Sequence, residues 1–463
     1  MNNYINLITK DKKKHKKHIV FFIILNILLV IAETISIALI PLFIDLFVSS
    51  EPILPNYFNF FKDLLDTENK NSIINFGIIF FVAIFFIKNI IYLSVVVYQT
   101  SLKMKFNHYL KRKFLNLYLY APFETMKSYN SSEILRNTDT ETKNYVTNFF
   151  MILKFSKDIL MLLSIFVLLL VADVYSTIFA LLFLVILVFL YISTFYSYLN
   201  KIGVKKLIAV NAVYQWINQT CGAIKEIKIT KKEDKILENF SKKVKVFEHT
   251  MKMTEIISSI PIALFEISFL IIILFFIKFI INADPSGLIP YISLYIVAFI
   301  RLLPIISRFG STIAILRSYN PSVQLMNNEI SKLEKYSTLI DKSKITDEGK
   351  LKFEKKFQLK NMSFKYNDGH QNVFENLSIQ VEKGRSIAFL GKSGSGKTTL
   401  INIICGLLKP TNGEMLVDGK SIDQKITLWQ NHIGLISQDN YLLDDTLENN
   451  IIFLNNKDTI DKK

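Results

Sequence analysis

The sequence predicts a multi-domain membrane protein: an all-α domain of six spanning helices, followed by part of an α/β phosphate-binding domain. Three observations predict it. Apolar residues fall in blocks of about 20, the length of a helix that crosses a bilayer. Lys and Arg gather in alternate loops between those blocks. Towards the C-terminal end stands Gly391-Lys392-Ser393-Gly394-Ser395-Gly396-Lys397-Thr398, with a strand-like run before it and a helix-like run after it.

The 463 residues allow two or three domains. Hydrophobic residues make up 51% of them, and the mean hydropathy is +0.32. The formal net charge of +16 has two readings, a nucleic-acid surface or the cytoplasmic side of a membrane protein. The lysines sit between and beside apolar blocks, so the membrane reading is taken and no nucleic-acid partner is expected. Cys221 and Cys405 show no metal-ligand or redox spacing. They read as reduced, inert thiols of a cytoplasm-facing protein.

Six spans are predicted: Ile19–Val48, Ile73–Tyr98, Ile152–Ala172, Ser176–Tyr196, Ile256–Ile281 and Gly287–Arg308. The first is too long for a signal-peptide core, and no small-residue cleavage site follows before Pro52. Lys12, Lys13, Lys14, Lys16 and Lys17 put the N-terminus in the cytoplasm. The first loop, Ser49–Asn71, sets Lys62 and Lys70 against Glu51, Asp63, Asp66 and Glu68 and should lie outside. The loops Ser101–Phe150 and Ser197–Glu255 are basic and should lie inside, and short turns near Asp173 and Asp284–Pro285 join the remaining spans. The alternation holds through all six spans and leaves the C-terminal part in the cytoplasm.

The two long inner loops carry little Gly or Pro and read as helical, for example Met104–Tyr120 and Ile236–His249. Their tips fall near Tyr129–Ser132 and Gln219–Ala223, and suit contact with a cytoplasmic domain; solvated hairpins are the alternative. In the outer loop, Leu54, Tyr57, Phe58, Phe61 and Leu65 have helical spacing. Either an amphipathic helix on the outer membrane face or a helix packed on the span ends accounts for them.

Glu33 lies in the first span, Lys88 in the second, Glu266 in the fifth and Arg301 in the sixth. A charge at mid-membrane costs roughly 2.5–3.5 kcal/mol on insertion scales, so such residues usually face a partner or a water-filled cavity. For Lys88 the alternative is a side chain reaching the interface. Arg301 is the strongest cavity candidate, because Pro304 follows it and can bend the helix.

Residues 1–330 are assigned to the membrane domain, 331–350 to a linker and 351–463 to the cytoplasmic domain, where short apolar runs alternate with turns. The glycine-rich string matches G-x-x-x-x-G-K-[ST], the phosphate-binding P-loop. Ser386–Leu390 reads as the strand before it, and Thr398–Leu408 as the helix after it. Glycines let the backbone wrap a phosphate closely, and N–H groups at the helix N-terminus face the anion. Lys397 is expected to reach the β- and γ-phosphates, and the Thr398 hydroxyl to ligate Mg²⁺. Tyr366, upstream, either stacks on adenine or simply packs at a strand end; Gln438 follows a predicted strand, Ile433–Ile436, and alone reads as a strand end.

Six spans with long inner extensions, then an aromatic residue, a P-loop and a strand ending in Gln, resemble the ABC exporters along essentially the whole chain. The resemblance implies an all-α six-helix ABC exporter transmembrane domain followed by a partial P-loop ATP-binding cassette. It assigns Gly391, Lys392, Ser393, Gly394, Ser395, Gly396, Lys397, Thr398 and Thr399 to the Walker A loop, with ATP and Mg²⁺ as cofactors. Tyr366 takes the adenine-stacking position, and Gln438 the Q-loop glutamine that touches Mg²⁺ and the attacking water. The two inner tips match the coupling helices. The family works as a homodimer or heterodimer in the bacterial cytoplasmic (inner) membrane, as an ATP-hydrolysing translocase.

Glu33-Thr34-Ile35-Ser36, Ser132-Glu133-Ile134-Leu135-Arg136 and Arg301-Leu302-Leu303-Pro304 resemble, more narrowly, the bacterial flippases for lipid-linked oligosaccharides of protein N-glycosylation. That resemblance implies basic residues in the cavity that hold a lipid pyrophosphate, with Lys88 and Arg301 at two such positions and Glu33 beside them. A third basic position falls near Ile262, which is apolar here. A multidrug, peptide or lipid A exporter is the alternative. No LSGGQ-like string, Walker B carboxylates or switch His occur up to Lys463. The expectation is a chain that binds nucleotide and does not hydrolyse it by the usual route, as a partial gene or a frameshift product would.

Overall fold

The computed structural model describes residues 13–48, 70–172, 174–281, 288–337, 351–366, 371–423, 425–437 and 441–453. The expected outer-loop helix around Tyr57 lies outside these residues, as does Gln438. The chain divides into two compact units. One comprises Met1–Leu119 with Tyr129–Lys335, and the other gathers Tyr120–Ser128 with Tyr336–Lys463.

Long helices build the first unit. In chain order they are α1 (Lys13–Val48) and α2 (Lys70–Leu119). Two short helices follow, α3 (Phe123–Ser128), which belongs to the second unit, and α4 (Ser131–Arg136). A π-helical turn, Asn137–Glu141, leads into α5 (Thr142–Ala172) and then α6 (Val174–Gly222). A short α7 (Ile224–Thr230) precedes α8 (Glu233–Ile281) and α9 (Leu288–Ser337). A helix of 50 residues such as α2 runs about 75 Å. It therefore holds both the predicted span Ile73–Tyr98 and the predicted inner helix from Met104, as one rod. The cause is local: neither Gly nor Pro occurs between Ile78 and Leu119, so nothing interrupts the backbone ladder.

The inner turns differ from expectation by a few residues. Tyr129–Ser132 is not a tip. The Tyr129 hydroxyl donates to Glu329 Oε2 on α9 at 2.7 Å, and Ser132 is buried. The short helix at that turn is α3, immediately upstream and directly after Pro122, whose fixed φ suits a helix start. Gln219–Gly222 forms the last turn of α6, and the short helix α7 follows it. Lys231, in the left-handed region at φ 51°, closes α7 by donating its N–H to the Ile227 carbonyl.

Three helices share one core of this unit. Val30 and Ile37 of α1, Ile165 and Leu169 of α5, and Ala298 and Leu302 of α9 pack together. Phe22 and Leu29 of α1 meet Val95 of α2. Leu199 and Ile202 of α6 meet Ile257 of α8 and Ala314 of α9. Gly203 lets α6 and α9 come close: a Cβ there would lie 2.9 Å from the Ser318 carbonyl oxygen. The π-helical turn is held from inside, where buried Arg136 donates to Asn137 Oδ1 at 3.0 Å and Asn137 Nδ2 donates to the Tyr118 hydroxyl at 2.9 Å.

The outward faces are apolar. Ile79, Val82, Phe86 and Leu93 of α2 and Phe189 of α6 are all exposed. Water would not tolerate so continuous a band, and a bilayer would. Among the described residues, Lys16–Ile40 and Ile74–Leu119 each contain an 18-residue stretch, of mean hydropathy 2.6 and 2.4, long and apolar enough to cross a membrane.

In the second unit, β1 (Lys356–Phe364), β2 (Phe374–Glu382), β3 (Asn412–Val417) and β4 (Lys420–Ser421) form an antiparallel sheet in the order β2-β1-β3-β4. Helices α10 (Lys397–Ile404), α11 (Ile426–Gln430) and α12 (Leu447–Ile452) complete the described elements. Phe357, Leu359 and Phe364 of β1, Met415 and Val417 of β3, Leu400 and Ile403 of α10, and Trp429 of α11 share one core. Trp429 stacks on Phe357 at 5.0 Å and donates its indole N–H to the Ile404 carbonyl at 2.8 Å. Asp418 gathers the N–H groups of Glu354, Lys355 and Lys356 at 2.7–2.8 Å.

The predicted strands Ser386–Leu390 and Ile433–Ile436 carry no ladder. Leu390 is 92% and Ile436 89% exposed. A strand is stabilised by its neighbours, and among the described residues the sheet ends at β2 and β4 without reaching either segment.

Candidate functional site

The glycine-rich loop turns into α10 at Gly396, whose φ is 87°. A side chain there would be strained by that backbone and would meet Val373 Cγ1 at 2.7 Å. Gly394, at φ 83°, has open space where its Cβ would be. The Lys397 ammonium donates to the carbonyls of Gly391 and Lys392 at 2.7 and 2.8 Å, and lies 3.3 Å from Ser395 Oγ. The lysine thus closes the loop into a ring around its own positive charge. The first N–H groups of α10 have no partner within the helix, and such a helix end favours an anion. Thr398 is exposed at the mouth of the loop. Positive charge, unpaired N–H groups, close-approach glycines and an accessible hydroxyl together fit a nucleotide polyphosphate with its divalent ion.

Tyr366 stands beside this loop. Its hydroxyl shares a hydrogen bond of 3.0 Å with Thr399 Oγ1, and its ring meets Phe364 nearly perpendicularly with centroids 4.8 Å apart. The structure therefore brings Tyr366 and the P-loop together, as their positions in the sequence suggested.

In the first unit, α1, α2, α5 and α9 enclose a cavity of about 530 Å³. Glu33 and Arg301 line it, with Lys154, Lys157, Asp158 and Arg308. Four cations thus face two carboxylates, among apolar side chains such as Leu29, Val95 and Met161. Asp158 is buried and holds Arg308 at 3.4 Å and Lys157 at 3.7 Å. Lys88 does not line this cavity: it is buried, with its ammonium 5.0 Å from the Phe85 ring centroid. It remains within electrostatic reach of Arg301 and Glu33. Glu266 and Ile262 are exposed on α8. Lys154, Lys157, Asp158 and Arg308 were not singled out from the sequence. The signal was present, since residues three, four and seven apart share a helix face, and Arg301 and Arg308 are seven apart.

Residues 374–462 match the ABC transporter family. Provisionally named multidrug export ATP-binding/permease proteins of Staphylococcus aureus share the same region. For strain NCTC 8325 the identity is 40% over 98 residues, 21% of this chain and 17% of the relative. For bovine strain RF122 it is 41% over 92 residues, 20% of this chain and 16% of the relative. The matched stretch thus spans about a sixth of the relatives' length. A solved bacterial Atm1-family ABC exporter with ATP bound superposes with a TM-score of 0.71 at 13% identity, covering 95% of this chain and 74% of that one. The C-terminal unit carries an ABC transporter ATP-binding domain, and the chain as a whole has the fold of an ABC exporter.

Proposed function

We propose that this chain is the subunit of a dimeric exporter that couples ATP to movement of a lipid or lipid-linked oligosaccharide across the bacterial cytoplasmic membrane, by alternating access. Lys397 and the loop Gly391–Thr399 hold the ATP phosphates, Thr398 places Mg²⁺ with Gln438, and Tyr366 carries the adenine. ATP supplies the binding energy that brings two cassettes together. This chain's residues orient the polyphosphate, hold its charge and fix the base. Glu33, Arg301 and Lys88 are the candidate substrate residues, Lys88 from behind the cavity wall.

The observation that carries the lipid reading is the excess of cations over carboxylates among apolar side chains in the cavity. An anionic head on an apolar tail matches that mixture, and a cationic drug does not. The names of the Staphylococcus aureus relatives favour the second reading, multidrug export. Binding to the full chain in nanodiscs separates the two. A polyprenyl pyrophosphate glycolipid should bind and lose at least ten-fold in affinity in Arg301→Ala. Preferential binding of a cationic dye, indifferent to Arg301, would favour the multidrug reading instead.

A further inference from the structure

Helix α3 lies in the same compact unit as the cassette, and it brings a lysine to the nucleotide site. The Lys127 ammonium stands over the Tyr366 ring, 5.5 Å from its centroid. This is within the range at which an ammonium is held by an aromatic face. The ring is fixed at its far end by the hydrogen bond to Thr399 and along its body by Phe364. It therefore cannot turn away from the lysine without breaking contacts. Lys127 itself is exposed, on a flexible four-carbon stem, and can leave the ring easily.

We infer that Lys127 is an affinity-setting residue of the adenine site: its ammonium occupies the face of Tyr366 on which the base stacks, and ATP must displace it. The inference rests on the reading of Tyr366 as the adenine platform. The phosphates have no part in the exchange, because Lys127 contacts the ring and Lys397 holds the P-loop. An exposed cation–π contact of this kind is worth about a two- to five-fold change in an equilibrium constant. The exchange thus tunes affinity for adenine nucleotides and leaves affinity for a bare polyphosphate untouched.

The test titrates the full chain with Mg²⁺-ATP and with Mg²⁺-tripolyphosphate. The variants are Lys127→Met, which keeps most of the stem and removes the charge, Tyr366→Ala, and the pair together. The expected result is that Lys127→Met tightens ATP about two- to five-fold, leaves tripolyphosphate unchanged, and loses its effect in the Tyr366→Ala background. If Tyr366→Ala weakens ATP but Lys127→Met leaves ATP unchanged or weakens it, the inference fails and the platform reading stands. If Tyr366→Ala leaves ATP unchanged, the platform reading fails and the inference with it. A second readout uses the unaltered chain. Amine-labelling of Lys127, followed by mass spectrometry, should rise with saturating ATP and not with tripolyphosphate. Labelling indifferent to ATP would overturn the displacement.

Discussion

The Tyr366 hydroxyl and Thr399 Oγ1 share a hydrogen bond of 3.0 Å, tying the aromatic ring that follows β1 to the first turn of α10. The bond fixes the ring at a set distance from the loop that receives phosphate. A hydrogen bond of this kind contributes about 1 kcal/mol net, whereas stacking of a base on an aromatic ring contributes about 1–3 kcal/mol by alanine substitution. Tyr366→Phe should therefore weaken ATP binding by about five-fold at most, and Tyr366→Ala by more. Calorimetric titration of the two variants checks the order, and equal losses would remove the stacking role.

Gly203 allows α6 and α9 to approach until a Cβ would lie 2.9 Å from the Ser318 carbonyl and 3.0 Å from its Cα. Both contacts are with backbone, which cannot step aside as a side chain can. Gly203→Val should cost about 1–3 kcal/mol through overpacking. The expected outcome is a lower unfolding temperature for the helical unit, with the cassette unaffected. Thermal unfolding followed at Trp216 of α6 and at Trp429 of the cassette reports the two separately, in Trp429→Phe and Trp216→Phe backgrounds respectively.

Backbone N–H groups, first of all that of Glu354, hold the Asp418 carboxyl below its ordinary value of 3.8. A group whose folded value is depressed stabilises the fold above its unfolded value and loses that contribution as pH falls through the folded one. The contribution is therefore intact at neutral pH and fades only below about pH 4. Acid unfolding monitored at Trp429, in a Trp216→Phe background, should begin at higher pH in Asp418→Ala. An unchanged acid limb would show that the three N–H bonds add nothing.

Cys405 is buried and Cys221 exposed. Burial pushes the Cys405 thiol up, which lowers its reactive thiolate fraction at neutral pH. Brief alkylation of the native chain should mark Cys221 alone, and Cys405 should react only after denaturation. Mass spectrometry of the peptides distinguishes the outcomes, and early labelling of Cys405 would mean that the α10 end of the cassette opens freely.

Much of this architecture was legible in the sequence, for local reasons. Apolar runs free of Gly and Pro dictate long helices, and the P-loop string dictates a turn with left-handed glycines before a helix, as found at Gly394 and Gly396. The differences arise where a residue's fate depends on a distant partner. Tyr129 was read as part of a tip, but Glu329, 200 positions away, draws it onto α9. Ser386–Leu390 has the composition of a strand, but composition does not supply a neighbour to pair with. Lys88 and Arg301 were both charged residues within spans, and periodicity on one helix could not show that one lines the cavity while the other lies over Phe85. Lys154 and Lys157 were hidden by their place near the start of a predicted span, where basic residues are usually ascribed to the interface.

Gly391–Thr399 is expected to bind nucleotide through the charge of Lys397 and the backbone around it. Titration of the full chain with Mg²⁺-ATP, beside Lys397→Ala, tests it most directly, with circular dichroism confirming equal helix content. Saturable binding by the unaltered chain, weakened at least ten-fold in the variant, is the predicted result. Absence of binding by the unaltered chain, or equal binding by both, would contradict it.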